Sequence, residues 1–360
     1  MPGPTHRIDR REFLKNTTYG AAAAGLAAGA ASAAAPEDKK LTLTDALPAR
    51  AFGKTGVKLP ILGYGGAGLP KKWGNPLSTE DRVKLVRHAY DSGVRYYDTS
   101  ISYTYGESQA LIGKGLKGVR DNAFITTKVD FWNTSRPDGR IEKVAKGEAT
   151  RQVKMNLKEL QSDYIDAVLI HGTPGVEQMT VEQCLEVQAE LAKARDKGLV
   201  RFVGFSAHGY FDKALALIES GKFDLCMLSY GYIPRGHNQV FSARMTALRD
   251  ACIAKAHERG MGVVAMKVVG GGVLGAWSGH FVPGFDKKRI AKLPAAAIRH
   301  VLQDERIDVL TIGMRLPREI NANIKTVSGA GEYTTDDRAL LAEFSAKALA
   351  SKAMKEMKVE

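Results

Sequence analysis

The chain has 360 residues, of which 44% are hydrophobic and 25% charged, a composition that suits one large globular domain or two average ones. Its formal net charge of +13 comes from lysines and arginines that are spread along the predicted helices, so a basic solvated surface is favoured over nucleic-acid binding. Cys184, Cys226 and Cys252 have no close spacing and encode neither a disulfide framework nor a metal cluster, so we predict no metal site.

The first 35 residues resemble a twin-arginine export signal. Arg10 and Arg11 precede a weakly apolar, Ala- and Gly-rich run from Tyr19 to Ala35, whose small residues offer a cleavage site near residues 33–35. A run so poor in large apolar side chains would partition weakly into hydrocarbon, which argues against a stable membrane anchor. We therefore expect residues 1–35 to engage the twin-arginine export machinery and the mature protein to be periplasmic or exported.

After a predicted spacer at residues 36–49, the segment 50–330 alternates between strand and helix patterns. A short hairpin is predicted around Lys54-Thr55-Gly56, between two polar and apolar runs. Eight short apolar runs, rich in Val, Ile, Leu and aromatic residues, have the composition of strands buried on both faces. These runs lie at about 60–64, 94–98, 123–128, 164–170, 200–205, 223–228, 262–266 and 307–312.

The stretches between these runs repeat apolar residues every three or four positions and often end at glycine, which predicts helices. Eight strands that alternate with helices predict an α/β fold, a (β/α)8 TIM barrel. In the C-terminal segment 331–360, an extra helix is predicted from about Asp336 to Met357. A doubly wound sheet is the competing architecture, but its glycine motif should open a helix, whereas Gly63 to Gly68 is followed by Leu69-Pro70. We interpret Gly66 as part of a loop that lets the backbone approach a ligand.

Four residue types that carbonyl reduction needs stand at or just after the ends of successive predicted strands. They are Asp98, Tyr103, Lys128 and His171. Every strand of a parallel barrel delivers its last residue to one shared face, so these side chains are expected to converge. A tyrosine, with an ordinary pKa of about 10, is too weak an acid unless a nearby cation such as Lys128 favours its phenolate. Asp98 would keep that lysine charged, and His171 would donate a hydrogen bond to the substrate oxygen.

With these residues in place, the chain resembles the aldo/keto reductase family from about Arg50 to Ile324. The matching segments are Asp98-Thr99-Ser100 with Tyr103, Gly106, Ser108 and Leu111-Ile112-Gly113, then Thr127-Lys128-Val129, Leu169-Ile170-His171 and Gly204-Phe205-Ser206. The resemblance implies an NAD(P)H-dependent oxidoreductase that reduces a small-molecule aldehyde or ketone to an alcohol. The four residues above would be its catalytic tetrad, with Tyr103 as the general acid. Tyr105 is a rival for that role, but Tyr103 has the family's five-residue offset from Asp98.

The same resemblance implies the cofactor NADP(H), or NAD(H), bound extended across the mouth of the barrel. The residues that we assign to the cofactor are Gly66, Ser206, Met266, Lys267, Gly270, Gly271, Gly272, Gly313, Arg315, Arg318 and Asn323. The three successive glycines suit backbone contacts to a pyrophosphate, and Arg315 and Arg318 suit a 2′-phosphate. The family's Ser-Asn pair is Ser206-Ala207 here, followed by His208, and its nicotinamide-stacking aromatic is Met266.

Two other functions stay open from the sequence. A Schiff-base lyase could use Lys128 or Lys267 as its nucleophile, although a carboxylate beside Lys128 would keep that amine protonated. A non-catalytic NADP(H)-binding protein could report redox state to a partner. Loop aromatics predict an apolar or ring-bearing carbonyl substrate. They are Trp73, Trp132, Tyr230 and Tyr232.

Overall fold

The computed structural model describes residues 40–132, 139–329 and 331–360. The predicted export signal at 1–35 and the first part of the predicted spacer, 36–39, lie outside the described residues. Within the described ranges, no helix is long and apolar enough to cross a membrane.

Eight parallel strands close into a barrel, and each overlaps one of the apolar runs that predict it. In chain order the strands are β1 (Ala49–Ala51), β2 (Lys58–Pro60), β3 (Leu62–Gly65), β4 (Tyr96–Asp98), β5 (Phe124–Val129), β6 (Ile165–Ile170), β7 (Val200–Ala207), β8 (Leu225–Ser229), β9 (Gln239–Val240), β10 (Gly262–Met266), β11 (Val309–Ile312) and β12 (Lys358–Val359). The barrel comprises β3 to β8 with β10 and β11, and the pairing of β11 with β3 closes it. The pair β1 and β2 is the predicted hairpin, and β9 pairs in parallel with β12 outside the barrel.

Helices cover the outside of the barrel. In chain order they are α1 (Thr79–Asp91), α2 (Glu107–Gly115), α3 (Glu148–Leu160), α4 (Val181–Asp196), α5 (Phe211–Glu219), α6 (Ala243–Glu258), α7 (Ser278–Phe281), α8 (Lys287–Ile290), α9 (Leu293–Leu302), α10 (Pro317–Ser328), α11 (Thr335–Leu349) and α12 (Lys352–Lys355). The predicted C-terminal helix is present as α11, but it ends before Met357. Helix α11 ends at Leu349. The side chain of Ser351 accepts a hydrogen bond from the backbone N of Met354, so a separate helix, α12, begins after Ser351.

The hairpin closes the amino end of the barrel and leaves the carboxyl end for a site. Phe52, from the turn of the hairpin, is fully buried, and its ring lies 5.5 Å from that of Phe124, the first residue of β5. It also fills the space beside Gly262, where a Cβ would come within 2.6 Å of the Phe52 ring. With this end filled by side chains, only the loops that follow the carboxyl ends of the strands can form a pocket.

Candidate active site

The structure brings the four predicted catalytic residues together at the carboxyl end of the barrel. Asp98 is the last residue of β4, Lys128 is the penultimate residue of β5, and His171 directly follows β6. Because these three strands are adjacent and parallel, their ends reach the same space. Tyr103 comes from the loop between β4 and α2, and its ring lies 6.1 Å from that of His171.

A buried ion pair joins Lys128 and Asp98 next to the tyrosine. The Lys128 Nζ donates to Asp98 Oδ1 at 2.5 Å and to the carbonyl oxygen of Thr99 at 2.8 Å. It also lies 4.9 Å from the centre of the Tyr103 ring. Burial raises the pKa of Asp98, and the positive charge of Lys128 opposes that rise. The two oxygens hold the ammonium in place against the phenol ring.

The pKa of the Tyr103 phenol departs from the expectation drawn from the sequence. Burial raises this pKa well above its ordinary value, and the carboxylates of Asp98 and Asp130 raise it further. The hydrogen bond between the phenol and Asp98 has the same effect, because that carboxylate would repel a phenolate. In these surroundings the cation at Lys128 does not by itself make the phenol a stronger acid.

Asp130 is a residue of the site that the sequence analysis missed. Its Oδ1 is hydrogen-bonded to His171 Nδ1, and its Oδ2 accepts from Ser100 Oγ at 3.1 Å. The side chain of Gln152 in α3 clamps its backbone, accepting from Asp130 N at 2.7 Å and donating to Asp130 O at 2.8 Å. Asp130 lies two residues after Lys128, and side chains two apart on a strand point to the same face. That spacing is the sequence signal that could have found it.

The turn that carries Tyr103 is strained and is held by an ion pair. Thr104 and Tyr105 have left-handed φ angles of 54° and 57°, a conformation that is unfavourable for a β-branched residue such as threonine. Glu107 accepts a hydrogen bond from Thr104 Oγ1 at 2.8 Å and pairs with Arg82 at 2.5 Å. These contacts with α1 and α2 keep the tyrosine loop in a conformation that it would not adopt alone.

The segment after β10 presents positive charge that lacks close acidic partners. Lys267 has a left-handed φ of 62°. Burial lowers the pKa of Lys267 to about 8, and the neighbouring Arg235 lowers it as well. Arg235 donates to the carbonyl oxygen of Gly270 at 3.4 Å, while its Nε is buried without a described partner. Burial raises the pKa of the nearby Glu177 to about 7, so this carboxyl offsets the cations only in part.

The glycines that follow Lys267 form a turn that only glycine adopts easily. Gly270, Gly271 and Gly272 all have positive φ angles, from 62° to 95°. A Cβ on Gly271 would lie 3.9 Å from both Arg235 Cζ and Lys267 Cδ, so this glycine faces the space between the two cations. Among the described residues, no group of three or more His, Cys, Asp or Glu side chains could hold a metal ion. The turn and the two cations beside it offer donors for an anion.

Other predicted cofactor residues lie at the ends of β3, β7 and β10. Ser206 is fully buried, and its Oγ accepts a hydrogen bond from the backbone N of Gly172 at 2.8 Å. Met266 is 7% exposed at the end of the inner barrel cluster. Close packing explains the glycine at position 66, because a Cβ there would lie 2.4 Å from the carbonyl oxygen of Asp98.

His208 follows β7 at the position next to the altered Ser-Asn pair. Its Nδ1 is buried and has no hydrogen-bond partner in the described ranges. Burial lowers the pKa of His208 well below its ordinary value, and the positive charge of Lys267 lowers it further. The ring is therefore neutral, with one donor and one acceptor nitrogen.

The segment after β11 holds the remaining predicted cofactor residues, Gly313, Arg315, Arg318 and Asn323. The backbone of Gly313 lies against Gly65, where a Cβ would be 2.8 Å from the Gly313 N. Arg315 Nη1 donates to the carbonyl oxygen of Gly74 at 3.3 Å, Arg318 is exposed, and Asn323 is buried on α10. Because β11 pairs with β10, these arginines and Lys267 follow neighbouring strands at the same end of the barrel.

Only part of the predicted aromatic lining reaches the site. Trp73 lies beside the tetrad, with its ring 5.4 Å from that of the tyrosine. The prediction is wrong for Tyr230 and Tyr232, which contact residues in and after α9. The hydroxyl of Tyr230 donates to Asp304 Oδ2 at 3.0 Å, and the ring of Tyr232 lies 5.2 Å from that of His300 in α9. Side chains two positions apart in extended chain point to the same side, and those of Tyr230 and Tyr232 both point away from the barrel.

Comparison with known proteins shows which family this chain matches. A model described as the aldo/keto reductase family matches residues 61–289. Over 311 residues the chain is 24% identical to L-galactose dehydrogenase of Arabidopsis thaliana, with 81% of this chain and 91% of that protein covered. Its fold is similar to that of aldo-keto reductase AKR11C1 from Bacillus halodurans in the holo form, with a TM-score of 0.62, 18% identity, and 86% and 99% of the two chains covered. An aldo-keto reductase from Klebsiella pneumoniae in complex with NADPH gives a TM-score of 0.60 at 16% identity, with 82% and 93% covered.

Replacement of Lys128 by Met should destabilise the protein more at high pH than at low pH. Burial raises the pKa of Asp98, and loss of the cation would raise it further. A carboxyl whose folded pKa is raised contributes stability below its unfolded pKa and loses that contribution as the pH rises through the folded pKa. Urea titrations at two pH values measure the effect. We expect Lys128→Met to lower the unfolding free energy by about 3 kcal/mol under mildly alkaline conditions and by less in mild acid.

The matched control is the double variant Lys128→Met with Asp98→Asn. It removes the buried charge as well as its partner, so most of the pH-dependent loss should be recovered. An equal loss at both pH values without recovery in the double variant would mean that Lys128 acts by packing alone.

Proposed function

Since the chain belongs to the aldo/keto reductase family of oxidoreductases, we propose that it reduces a small-molecule aldehyde or ketone to an alcohol with NADP(H). The observation that carries this proposal is the convergence of a phenol, an ammonium, an imidazole and a carboxylate at one end of the barrel. The NADPH complex of the Klebsiella pneumoniae neighbour supports the choice of cofactor.

Residues of this chain fit the phosphates of such a dinucleotide. The Nε of Arg235 is buried without a hydrogen-bond partner among the described residues, and Gly271 faces the space between Arg235 and Lys267. A pyrophosphate would supply the anion that these cations lack, because backbone N–H groups and charged side chains together stabilise phosphate oxygens. Arg315 and Arg318 follow the neighbouring strand and fit a 2′-phosphate, which guanidinium groups bind in bidentate fashion.

The nicotinamide end fits the groups at the ends of β7 and β10. The unpartnered Nδ1 of the neutral His208 suits the carboxamide, and it stands one residue beyond the position that resembles the family's asparagine. Ser206 keeps a hydroxyl proton to donate after it accepts from Gly172. The thioether of Met266 can contact an aromatic ring. When bound, the cofactor supplies a hydride to the carbonyl carbon.

The tetrad residues bind the carbonyl oxygen and move a proton to it. Tyr103 donates its phenolic proton, and burial helps by keeping that proton on the oxygen until an alkoxide, a much stronger base than a phenolate, develops beside it. Lys128, whose Nζ lies 4.9 Å from the ring centre, then stabilises the phenolate. Asp98 holds the ammonium, and His171 orients the carbonyl. Trp73 covers the phenol and provides an apolar contact for the substrate.

The geometry does not favour a Schiff-base lyase that uses Lys128. Two oxygens hold its Nζ as an ammonium, which is not nucleophilic. Lys267 has a lowered pKa and could be trapped by borohydride with substrate if it formed an imine. The four converging residues would have no role in Schiff-base chemistry or in a non-catalytic redox sensor. Oxidation of NADPH by a carbonyl compound in repeated turnovers distinguishes a reductase from both alternatives.

We further propose that residues 1–35 direct export through the twin-arginine pathway and are cleaved near residues 33–35. Support comes from the sequence alone, in the order of Arg10-Arg11, a weakly apolar run and small residues. That pathway carries folded proteins, so the enzyme would leave the cytoplasm with its cofactor bound.

Replacement of Tyr103 by Phe should abolish the reduction of an aromatic aldehyde while leaving NADPH affinity nearly unchanged. The phenol acts on the transition state, whereas the nucleotide contacts other residues. Steady-state oxidation of NADPH and fluorescence titration measure the two effects. Tyr105→Phe, at a side chain that is 41% exposed, is the matched control and should retain turnover. If Tyr103→Phe kept more than about a tenth of the turnover, a loss under about 1.4 kcal/mol, the acid assignment would be wrong.

Combined replacement of Arg315 and Arg318 by Ala should weaken NADPH binding by about 2–4 kcal/mol and leave NADH binding almost unaffected, because charge-assisted hydrogen bonds to the 2′-phosphate are lost. Isothermal titration with both nucleotides measures the difference. Arg338→Ala, at an exposed arginine of α11, controls for the loss of surface charge. Equal losses for NADPH and NADH would show that the two arginines do not recognise the 2′-phosphate.

Conversion of Arg10 and Arg11 to Lys should retain the full-length precursor in the cytoplasm, folded and active. The swap conserves charge, so it separates a receptor that recognises paired guanidinium groups from a general electrostatic signal. Cell fractionation with an antibody against the mature domain gives the location and the size of the product. Export at the normal rate and size would require another role for residues 1–35.

A further inference from the structure

Residues 358–360 lie beside the mouth of the barrel, next to the loops that follow β7 and β8. The strand β12 pairs in parallel with β9, which belongs to the segment after β8. Beyond β12 the pairing continues, because Glu360 N donates to the carbonyl oxygen of Val240 at 3.0 Å and Ser242 N donates to that of Glu360 at 2.7 Å. These main-chain bonds place the Glu360 side chain against the loop that carries His208.

The carboxylate of Glu360 joins two of these loops. Its Oε1 accepts a hydrogen bond from the backbone N of Tyr210, and its Oε2 accepts one from Gln239 Nε2 at 2.9 Å. The same amide nitrogen of Gln239 donates to the carbonyl oxygen of His208 at 3.5 Å. Both carboxylate oxygens are therefore used, and hydrogen bonds to a charged acceptor are stronger than those between neutral groups. Glu360 and Gln239 together hold the backbone on either side of Gly209.

The backbone at Tyr210 needs such a partner. Its φ of 51° is left-handed, which is unfavourable for a residue with a bulky side chain. Tyr210 also directly precedes helix α5, and its own side chain does not cap that helix. A carboxylate is favourable at a helix N-terminus, where N–H groups are free and the helix dipole is positive. Glu360, which lies 150 positions further along the chain, supplies this carboxylate and offsets the local strain.

Two glycines allow the segments to approach each other on both sides of His208. A Cβ on Gly209 would overlap with Glu360 Oε2, and a Cβ on Gly236, in the segment after β8, would overlap with the carbonyl oxygen of His208. A larger side chain at either position would push the loops apart. The loops after β7 and β8 are therefore in direct contact with each other and with residues 358–360.

The position of the His208 ring follows from this packing. Its Cδ2 atom lies over Gly172, where a Cβ would come within 3.1 Å of it, and its ring centre lies 6.3 Å from that of His171 and 5.9 Å from that of His237. A ring enclosed on three sides moves only with its backbone. A shift of the backbone at Gly209 would therefore move this ring relative to the tetrad.

We propose that Glu360 is a positioning residue, which fixes the backbone at Gly209 and Tyr210 so that the His208 ring meets the nicotinamide carboxamide. The inference rests on the proposed binding of NADP(H) and assigns a role to a residue outside the tetrad. Among the described residues, Glu360 forms no hydrogen bond with the tetrad, so it acts only through the loop after β7.

Neutral donors hold the Glu360 carboxylate in place. In the described ranges, no lysine or arginine forms an ion pair with it. The ammonium of Lys213, at the start of α5, is bound instead to three carbonyl oxygens, those of Val176, Glu177 and Met179, at 2.6 to 3.1 Å. Burial and the charge of Glu360 raise the pKa of the Glu177 carboxyl to about 7, so this neighbour opposes the clamp when it is ionised. An uncharged side chain of the same shape at position 360 should therefore keep part of the clamp.

The test compares two nucleotides that differ only at the nicotinamide. 2′-Phospho-ADP-ribose keeps the pyrophosphate and the 2′-phosphate of NADPH but has no carboxamide. In Glu360→Ala we expect NADPH binding to weaken about tenfold, the effect of losing one well-placed hydrogen bond, and 2′-phospho-ADP-ribose binding to stay within about twofold of the wild type. Isothermal titration without a carbonyl substrate measures both affinities. An equal loss for the two nucleotides, or no loss for either, would overturn the proposal.

Matched variants separate positioning from a general effect of the substitution. Glu360→Gln keeps the shape and one acceptor oxygen, so it should recover most of the NADPH affinity. Glu356→Ala removes an exposed carboxylate just after α12 and should leave both affinities unchanged. A loss as large as that of Glu360→Ala would assign the effect to net charge. Gln239→Leu removes one donor to the clamp and should cause a smaller selective loss, and it decides the question if Glu360→Ala folds poorly.

A double-variant cycle tests whether the effect passes through His208. His208→Ala should cause the same selective loss of NADPH affinity, and the addition of Glu360→Ala should cause no further loss. Additive losses would show that Glu360 acts through another group and would contradict the inference. If the wild type bound neither nucleotide, the proposed cofactor itself would be wrong and the inference would fall with it. If NADPH is bound but no carbonyl compound is reduced, the reductase proposal fails and the positioning role of Glu360 stands.

Discussion

The buried pair of Lys128 and Asp98 is the interaction on which the site depends. Two charges at the ends of neighbouring strands are taken out of water, so each needs the other, and removal of either leaves an uncompensated charge. The pair is almost inaccessible to solvent, with the side chains of Lys128 and Asp98 only 2% and 5% exposed. The same burial that makes the pair costly to break strengthens its field at the phenol.

Charge is distributed unevenly around the mouth of the barrel, and the division matches two tasks. Around β4, β5 and β6 the carboxylates of Asp98 and Asp130 meet the ammonium of Lys128 and the imidazole of His171, which gives a compact hydrogen-bonded group suited to proton transfer. Around β10, Lys267 and the neighbouring Arg235 exceed their acidic partner Glu177, which leaves positive charge that the phosphates of the proposed nucleotide would balance. A nucleotide bound across the mouth would connect the two regions, with its phosphates on one side and its reactive ring near the other.

The barrel and most of the tetrad can be predicted from the sequence, whereas the electrostatic state of the tetrad cannot. Asp98, Lys128 and His171 stand at strand ends, and parallel strands in a barrel bring such positions together whatever the details of packing. The pKa of Tyr103 depends on distances to several carboxylates and on exclusion of water, and those are properties of the assembled loops. Asp130 stands two positions after Lys128, a spacing that predicts a shared face, but its contact with His171, 41 positions further along the chain, is visible only in the folded protein.

The sequence by itself determined the eight strands, the helices between them, the hairpin and the alignment of the tetrad, because hydrophobic periodicity and glycine positions are local properties. Only the tertiary structure decided which side chains share a proton, which aromatics face the mouth, and where a cation is left without a partner. Tyr230 and Trp73 are both loop aromatics in the sequence, yet Tyr230 bonds to Asp304 in the loop between α9 and β11, whereas Trp73 packs against Tyr103. The physical reason is that burial and charge pairing depend on contacts between distant segments, which form only when the barrel closes.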